Sequence, residues 1–267
     1  ASSQGPLAAW EKQAFAVPER EPLKPIASKD RYVRSNETEL QMYATHVAGL
    51  GQGYAGVGAD QNYTIMAMAG TAFGWMMDYD PWVARLHKVY RAVVIESATA
   101  DDLIALWPQK VKVQEALRKH YPDATEQAEV IELYQKFVNW LKPYLGWSWK
   151  RKRQGQGNTW LSNPTYYQHI RRMFQEGRIQ ALPGDLHGEQ VLRGIGAAAR
   201  RLGIAIRIVY LSNAEMYLPY SKAFITTMQS LPVDEKSLLV RTVRGGGYPM
   251  LGDNWHYNVQ PFQKDYV

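Results

Sequence analysis

The chain has 267 residues, a net charge of +6 and no cysteine, and aromatic side chains make up 12% of its residues. The lack of cysteine excludes disulfides, a thiolate nucleophile and cysteine-based zinc sites. No apolar run approaches the roughly 20 residues that a transmembrane helix requires, so we expect no membrane span.

Residues 1–30 are predicted to form an extended N-terminal arm, because they contain four prolines and little periodicity. One short helix is expected around residues 7–15. The sequence begins with Ala1 in place of Met, and a small residue at the start is typical of signal-peptide cleavage. We therefore favour an exported or periplasmic location and keep a cytoplasmic location as the alternative.

Residues 31–267 are predicted to form a single α/β domain that begins with alternating helices and strands. Asn36, with Glu39 three residues later, is expected to cap a helix that runs to about residue 50. Asp80 stands before a proline and is expected to cap another helix. The remaining expected elements of this part are a strand at 53–58, a helix at 63–69, a buried strand at 71–77 and a helix at 82–97.

Residues 98–160 interrupt this alternation with three helical patterns, at 100–107, 109–121 and 125–145, and a basic loop at 150–157. We predict a helical insertion that covers the sheet as a lid. The run Trp147–Arg153 mixes aromatic and cationic side chains, as nucleic-acid binding requires. A solvated loop is the simpler interpretation, so nucleic acid is not an expected partner.

The alternation resumes after residue 160 and predicts a Rossmann-like sheet. Antiparallel strands after the last helix are typical of the mixed sheet edge of a methyltransferase-type Rossmann fold. The fold prediction is therefore α/β, with a mixed sheet, helices on both faces and the helical insertion. The expected elements are helices at 163–176, 188–202 and 216–231 and strands at 178–182, 204–211, 237–243 and 255–259.

Polar and glycine residues follow four of the predicted strands, where a Rossmann-like sheet binds its ligands. Gly56 and Gly58 would let a ligand approach the backbone after the first strand. Asp78 lies 20 residues after Gly58, and a carboxylate there can accept both ribose hydroxyls. Asp185 could bind an adenine amino group or could simply cap the next helix. Asn213 would face the group that reacts, although Ser212-Asn213 could also be only a turn.

Four segments carry a resemblance to a family of bacterial proteins labelled class I S-adenosylmethionine-dependent methyltransferase-like. They are Arg31–Glu37, Gly56–Thr64, Gly184-Asp185 and Val209–Leu218, and the similarity spans about residues 31–97 and 165–243. The turn departs from typical methyltransferases, because Asp60-Gln61-Asn62 stands where a third glycine is usual. An Asn-Pro-Pro-Tyr-like signature of amino-group methylation is also missing from the sequence.

The resemblance implies a methyltransferase-like protein that binds S-adenosylmethionine and transfers a methyl group to a small-molecule or polymer-borne acceptor. Three residues, Asn213, Glu215 and Tyr63, are expected to orient the acceptor by proximity and desolvation. The residues expected to bind the cofactor are Gly56, Gly58, Gln61, Asn62, Asp78, Tyr79, Gly184, Asp185 and Ser212.

The alternative hypothesis is an exported, non-catalytic protein with a methyltransferase-like fold. Its aromatic-rich cleft would then bind a different ligand or a partner, because S-adenosylmethionine is a cytosolic metabolite. The six histidines show no metal-binding spacing, so no metal site is predicted. The sequence leaves the oligomeric state open.

Overall fold

A six-stranded sheet lies at the centre of the protein in the computed structural model, which describes residues 5–24, 26, 31–217, 220–244 and 255–262. Strands β3 and β4 form a separate small hairpin, and the other six strands form the sheet. The strands are β1 (Gly53–Val57), β2 (Phe73–Asp78), β3 (Lys152–Arg153), β4 (Gln156–Gly157), β5 (Ile179–Pro183), β6 (Ile206–Ser212), β7 (Leu238–Val243) and β8 (His256–Pro261).

The order of the strands in the sheet is β5-β2-β1-β6-β7-β8. All neighbours pair in parallel except β7 and β8, which are antiparallel. Counted along the chain, this is the order 3-2-1-4-5-6 of a Rossmann sheet. The predicted α/β fold with a mixed sheet is therefore confirmed. From β1, the chain adds β2 and β5 on one side of the sheet and then β6, β7 and β8 on the other. The carboxyl ends of β1 and β6 therefore border a crevice.

Helices pack on both faces of the sheet, as predicted. Two short 3₁₀ turns, Leu40–Tyr43 and Ala214–Tyr217, accompany them. The helices are α1 (Ala9–Phe15), α2 (Ala44–Val47), α3 (Gln61–Ala69), α4 (Pro81–Glu96), α5 (Ala100–Leu106), α6 (Lys110–His120), α7 (Ala124–Lys150), α8 (Pro164–Glu176), α9 (Val191–Arg201) and α10 (Lys222–Gln229). No helix within these described ranges is both long enough and apolar enough to cross a membrane.

The two faces of the sheet carry separate apolar cores, because successive residues of a strand point to opposite faces. Tyr54 and Met76 belong to the core formed with α3, α4, α8 and the insertion. Ala55 and Trp75 belong to the core formed with α1, α9 and α10. The central strands β1, β2 and β6 are buried on both faces and therefore read as nearly continuous apolar runs.

The N-terminal arm lies against this second core and continues towards the end of β5. The indole Nε1 of Trp75 donates a hydrogen bond to the carbonyl of Phe15 at 3.1 Å. Further along the arm, the Glu21 carboxylate accepts hydrogen bonds from the amides of Gln190 at 2.9 Å and Val191 at 3.2 Å. These amides belong to the first turn of α9, where a carboxylate is stabilising.

The helix expected from Asn36 to residue 50 is wrong in its first half. Helical structure begins only with the 3₁₀ turn at Leu40, and α2 ends at Val47. Glu37 and Glu39 are buried, at 4% and 6% exposure, and bind side chains from distant parts of the chain. These long-range bonds hold the segment in a non-helical conformation that the local capping pattern did not predict.

The end of the predicted insertion also differs from the expectation. Helix α7 continues through Pro143 to Lys150, and the basic loop forms the β3–β4 hairpin. Arg151 and Arg153, which flank the start of this hairpin, both form ion pairs with Glu39. Burial favours a higher pKa of Glu39, but the hydrogen bonds and charges of these partners outweigh it and lower that pKa. The predicted solvated loop therefore anchors the insertion to the segment before β1.

Candidate ligand-binding cleft

A cleft of about 330 Å³ opens at the carboxyl ends of β1, β2, β5 and β6. This is the switch point of the sheet, where open α/β proteins bind ligands, and the volume falls in the usual range for small ligands. The loops that follow these four strands form its walls, and residues before β1 complete them. The described lining residues are Tyr32, Arg34, Ser35, Asn36, Val57, Gly58, Ala59, Gln61, Met77, Asp78, Tyr79, Gly184, Asp185, Leu186, Ser212, Asn213, Ala214 and Tyr217.

The turn after β1 is held together by Asn62. Its Nδ2 donates to the carbonyls of Val57 at 2.9 Å and Ala59 at 2.8 Å, and its Oδ1 accepts from the Tyr54 hydroxyl at 2.6 Å. A Cβ on Gly56 would lie only 2.1 Å from this Oδ1. Gly56 and Asn62 are outside the cleft lining, so the structure gives them the task of shaping the turn.

Gly58 and Gln61 form the part of this turn that reaches the cleft. Gly58 adopts a φ of 93°, which favours glycine, and a Cβ there would meet the Gln61 amide nitrogen at 2.5 Å. Gln61 is 6% exposed, and within the described part of the chain its Oε1 has no hydrogen-bond partner. A buried acceptor without a partner is costly, and a ligand that donates a hydrogen bond would satisfy it.

Asp78 ends β2 and places its carboxyl group on the cleft wall. Burial raises the pKa of Asp78 to about 7; the amide of Asp80 opposes the rise, and the Asp80 carboxylate adds to it. The Asp78 Oδ1 accepts from that amide at 2.8 Å. Asp80 itself caps α4 by accepting from the Trp82 amide at 3.0 Å, as predicted, and pairs with Arg31 at 3.1 Å.

Tyr79, the next residue, lies on the rim of the cleft with 37% of its surface exposed. Its hydroxyl accepts a hydrogen bond from the amide of Lys24 at 3.2 Å, so the N-terminal arm reaches this rim. Tyr32 and Tyr217 line the cleft as well and are far more exposed. Exposed aromatic groups are therefore part of the cleft lining.

Gly184 and Asp185 follow β5 on the side of the cleft next to Asp78. The Gly184 amide donates to the Asp78 carbonyl at 2.9 Å, which joins the two loops. The Asp185 Oδ1 accepts from the amide of His187 at 2.8 Å. The side chain therefore stabilises its own turn while it lines the cleft. The expected helix cap is wrong, because α9 begins at Val191 and its N-cap residue is Gln190.

Ser212 and Asn213 follow β6 and line the cleft from the other side of the switch point. Ser212 has a φ of 51°, which is uncommon for a residue with a side chain. Its Oγ donates to the buried carboxylate of Glu37, which also accepts from the hydroxyls of Tyr210 and Thr242. These bonds fix the loop in the unusual conformation that presents Asn213 to the cleft.

Glu37 is a structural residue of the site whose role no local sequence pattern predicts. The capping pattern places Glu37 only inside the expected helix after Asn36, and Ser35 and Asn36 line the cleft. The only sequence signal was its place in the Arg31–Glu37 segment of the resemblance. Its carboxylate binds Tyr210 and Ser212, more than 170 residues away in the sequence and beyond the reach of a local pattern.

Tyr63 does not line the cleft. It is fully buried, its hydroxyl is hydrogen-bonded to Nδ1 of His87, and burial raises its pKa well above the ordinary value for a tyrosine. Its place in the third residue of α3 directs it into the core between α4 and α8, where it packs edge-on against Trp160 and Phe174. The predicted contact between Tyr63 and an acceptor has no support in this geometry.

Glu215 is also outside the lining of the cleft. Its carboxylate forms a two-oxygen ion pair with Nη1 of Arg241, at 2.9 and 3.1 Å, and accepts from the Tyr220 hydroxyl. The 3₁₀ turn at Ala214–Tyr217 rotates alternate side chains away from one another, so Asn213 faces the cleft and Glu215 faces β7. Of the three residues expected to orient an acceptor, Asn213 alone contributes to the cleft.

The helical insertion contributes no residue to the described lining of the cleft. Its packing partner is α4, and Trp107 and Trp160 are buried in the core beneath it. The structure thus places the insertion beside the cleft, on one face of the sheet, and gives it no lid position. It contacts the site in two ways. The Trp140 ring of α7 lies 4.6 Å from the guanidinium of Arg34, which lines the cleft, and Tyr144 and Trp160 both donate to the buried carboxylate of Asp60, each at 2.8 Å.

Metal ligands are not grouped anywhere in the part of the chain that the structure describes, where no three His, Asp or Glu side chains could hold an ion together. The polar side chains in the described lining of the cleft are two carboxyl groups, the Arg34 guanidinium and several uncharged hydrogen-bonding groups.

Comparison with known proteins gives a family but no activity. No curated protein matches the sequence. Residues 32–266 match a family described as a domain of unknown function, DUF7790. The matched range includes the sheet, the insertion and every described lining residue of the cleft. The chain belongs to this family, DUF7790.

Proposed function

We propose that the protein binds S-adenosylmethionine in this cleft and transfers its methyl group to a small or polymer-borne acceptor. The observation that carries the proposal is the position of Asp78. Its carboxyl group ends the second strand and lines a cleft at the switch point, where a carboxylate can accept the hydroxyls of a ribose.

The donor and acceptor groups of the cleft fit an adenosyl ligand. The cleft offers acceptors at Asp78, Asp185 and the unpartnered Oε1 of Gln61, and such a ligand carries hydroxyls, an amino group and an ammonium group. Gly58 lets the ligand approach the backbone of the first turn. When bound, the cofactor supplies a methyl group on a positively charged sulfonium, which the two carboxyl groups complement.

Asp78 would bind the ribose, Gln61 and Asp185 would accept from nitrogen donors of the ligand, and Asn213 would orient the acceptor. The loops that carry Gln61 and Asn213 are fixed by Asn62 and by Glu37, respectively. Such fixation preorganises the site and reduces the entropy lost on binding. Tyr79 and Tyr217 flank the opening and would exclude water from the bound ligand.

A binding protein without methyl transfer is the second candidate. Tyr63 and Glu215, the other two residues expected to orient an acceptor, are engaged elsewhere, and this observation favours binding over catalysis. An exported location would favour it too, because S-adenosylmethionine is a cytosolic metabolite. The same cleft would then take another nucleoside-like ligand, with Asp78 in the same role.

Isothermal titration calorimetry with S-adenosylmethionine and with adenosine tests both candidates. We expect saturable binding to the wild type and a loss of at least about tenfold in affinity in Asp78→Asn. Glu235→Gln changes an exposed carboxylate remote from the lining residues and serves as the matched control. Binding of adenosine without S-adenosylmethionine would support the second candidate, and binding of neither by the folded protein would refute both.

A further inference from the structure

A second cavity, of about 470 Å³, lies between α4, the edge strand β5, the N-terminal arm and the end of α6. Four cationic side chains line it, and among its described lining residues they face a single carboxylate, that of Glu129. We call it the basic cavity. Its cations are Arg20 from the arm and Arg85, Lys88 and Arg91 from α4.

The three cations of α4 are spaced three residues apart and therefore share one face of that helix. Arg85 pairs with Glu129 at 2.9 Å and Lys88 pairs with Glu126 at 2.6 Å, through partly exposed side chains. Exposed pairs of this kind stabilise a protein little, so an anion with more than one charge can compete for these cations. The Arg91 guanidinium lies 6.0 Å from the centre of the Tyr121 ring, which adds an aromatic wall.

The basic cavity is connected to the cleft through His87, which lines it from α4. Burial lowers the pKa of His87 to about 4, so the ring is neutral at physiological pH. Its Nε2 donates to the Gly58 carbonyl at 2.9 Å, because a carbonyl can only accept. Nδ1 is then the acceptor for the Tyr63 hydroxyl. One side chain thus joins the basic cavity to the turn after β1.

We propose that the basic cavity binds a small phosphate-bearing anion and that its occupancy is transmitted through His87 to the Gly58 turn. Guanidinium groups match phosphate oxygens in charge and in planar geometry, and three of the four cations are arginines. The volume exceeds that of the cleft and leaves room for more than a single phosphate group. The basic cavity consists of residues of the chain alone, so anion binding there does not depend on an adenosyl ligand.

Calorimetric titration of the full chain with inorganic pyrophosphate tests the binding step. We expect the wild type to bind pyrophosphate at millimolar concentration or below in low salt, more weakly as sodium chloride is added. The double variant Arg20→Gln/Arg91→Gln should lose at least about tenfold in affinity. Lys112→Gln, an exposed cation on α6, is the matched control and should bind as the wild type does. Equal affinity in the wild type and the double variant, or no binding by either, would overturn the proposal.

Nuclear magnetic resonance tests the transmission step in the same titration. The backbone amide signal of Gly58 should shift with pyrophosphate in the wild type and stay fixed in the double variant. Pyrophosphate binding that moves signals of α4 but leaves those of Gly58 and Ala59 unchanged would refute the coupling. No adenosyl ligand is present, so this result is separate from the success or failure of the proposed function.

Discussion

The buried carboxylate of Asp60 accepts a hydrogen bond from the indole Nε1 of Trp160 at 2.8 Å. Asp60 precedes α3 in the turn after β1, and Trp160 ends the insertion, so this bond joins two segments that are 100 residues apart. Burial raises the pKa of Asp60, although the bonds from Trp160 and Tyr144 oppose the rise. The insertion therefore stabilises the turn after β1 through these hydrogen bonds.

Removal of this hydrogen bond should destabilise the protein. Trp160→Phe leaves one oxygen of a buried carboxyl group without its donor, and we expect a loss of about 1–3 kcal/mol in the free energy of unfolding. Urea denaturation followed by circular dichroism measures the loss. Trp10→Phe is the control, because Trp10 is 61% exposed. Equal effects of the two substitutions would show that the Asp60 bond contributes nothing measurable.

Asp78 should lower the stability of the protein at alkaline pH. Its folded pKa of about 7 lies above the ordinary value of 3.8, so the folded state binds the proton more tightly than the unfolded state. The stabilisation by this proton is complete below about pH 4 and is lost as the pH rises through 7. Asp78→Asn should therefore raise the free energy of unfolding at pH 8 by on the order of 1–3 kcal/mol.

The pH dependence of this effect separates the carboxyl group from a general packing change. At pH 4 and below, where the stabilisation by this proton is complete, Asp78→Asn should have little effect on the unfolding free energy. A constant difference between wild type and variant from pH 4 to pH 8 would contradict the elevated pKa.

Adenosine affinity should rise with pH through the same pKa, provided that the ionised carboxylate is the form that accepts ribose hydroxyls. A group with a pKa of about 7 is about one-tenth ionised at pH 6 and about nine-tenths ionised at pH 8. We therefore expect calorimetry to give an affinity up to about tenfold higher at pH 8 than at pH 6. The profile of Asp78→Asn should be flat, since adenosine has no group that titrates in this range.

Gly56→Ala should disrupt the turn after β1. The added methyl group would lie 2.1 Å from the Asn62 Oδ1 and 2.6 Å from the Tyr54 ring, in a fully packed strand. We expect a loss of about 2 kcal/mol or more in thermal or urea denaturation. Gly146→Ala is the matched control: it lies within α7 with nothing near the added group, and should stabilise by about 0.5–1 kcal/mol. Similar results for both would contradict the packing described for Gly56.

The order of elements and the strand-end residues of the cleft could be predicted from the sequence. Parallel strands bring their carboxyl ends to one edge, so Gly58, Asp78 and Asp185 lie together once the sheet forms. Glycine turns and apolar runs are local signals that define where such strands end.

The direction of side chains outside the strands could not be predicted. Tyr63 and Glu215 stand next to cleft residues in the sequence, yet their positions in a helix and a 3₁₀ turn rotate them towards His87 and Arg241. The role of Glu37 could not be predicted either, because its carboxylate binds hydroxyls contributed by β6 and β7. Local periodicity carries no information on such distant partners.

The location of the insertion is a further feature that could not be predicted from the sequence. The sequence predicts a lid over the sheet, but Trp107 and Trp160 of this segment pack into the core with α4. Amphipathic helices reveal that one face is buried and do not reveal which element covers it.

The central claim is that Asp78 binds the ribose of an adenosyl ligand in the cleft. Calorimetry with adenosine and with 2′,3′-dideoxyadenosine, on the wild type and on Asp78→Asn, tests it as a double-difference experiment. We predict that loss of the two hydroxyls weakens binding to the wild type by at least about tenfold and leaves binding to the variant nearly unchanged. An equal effect of the missing hydroxyls on both proteins, or no binding of adenosine by the folded wild type, would contradict the claim.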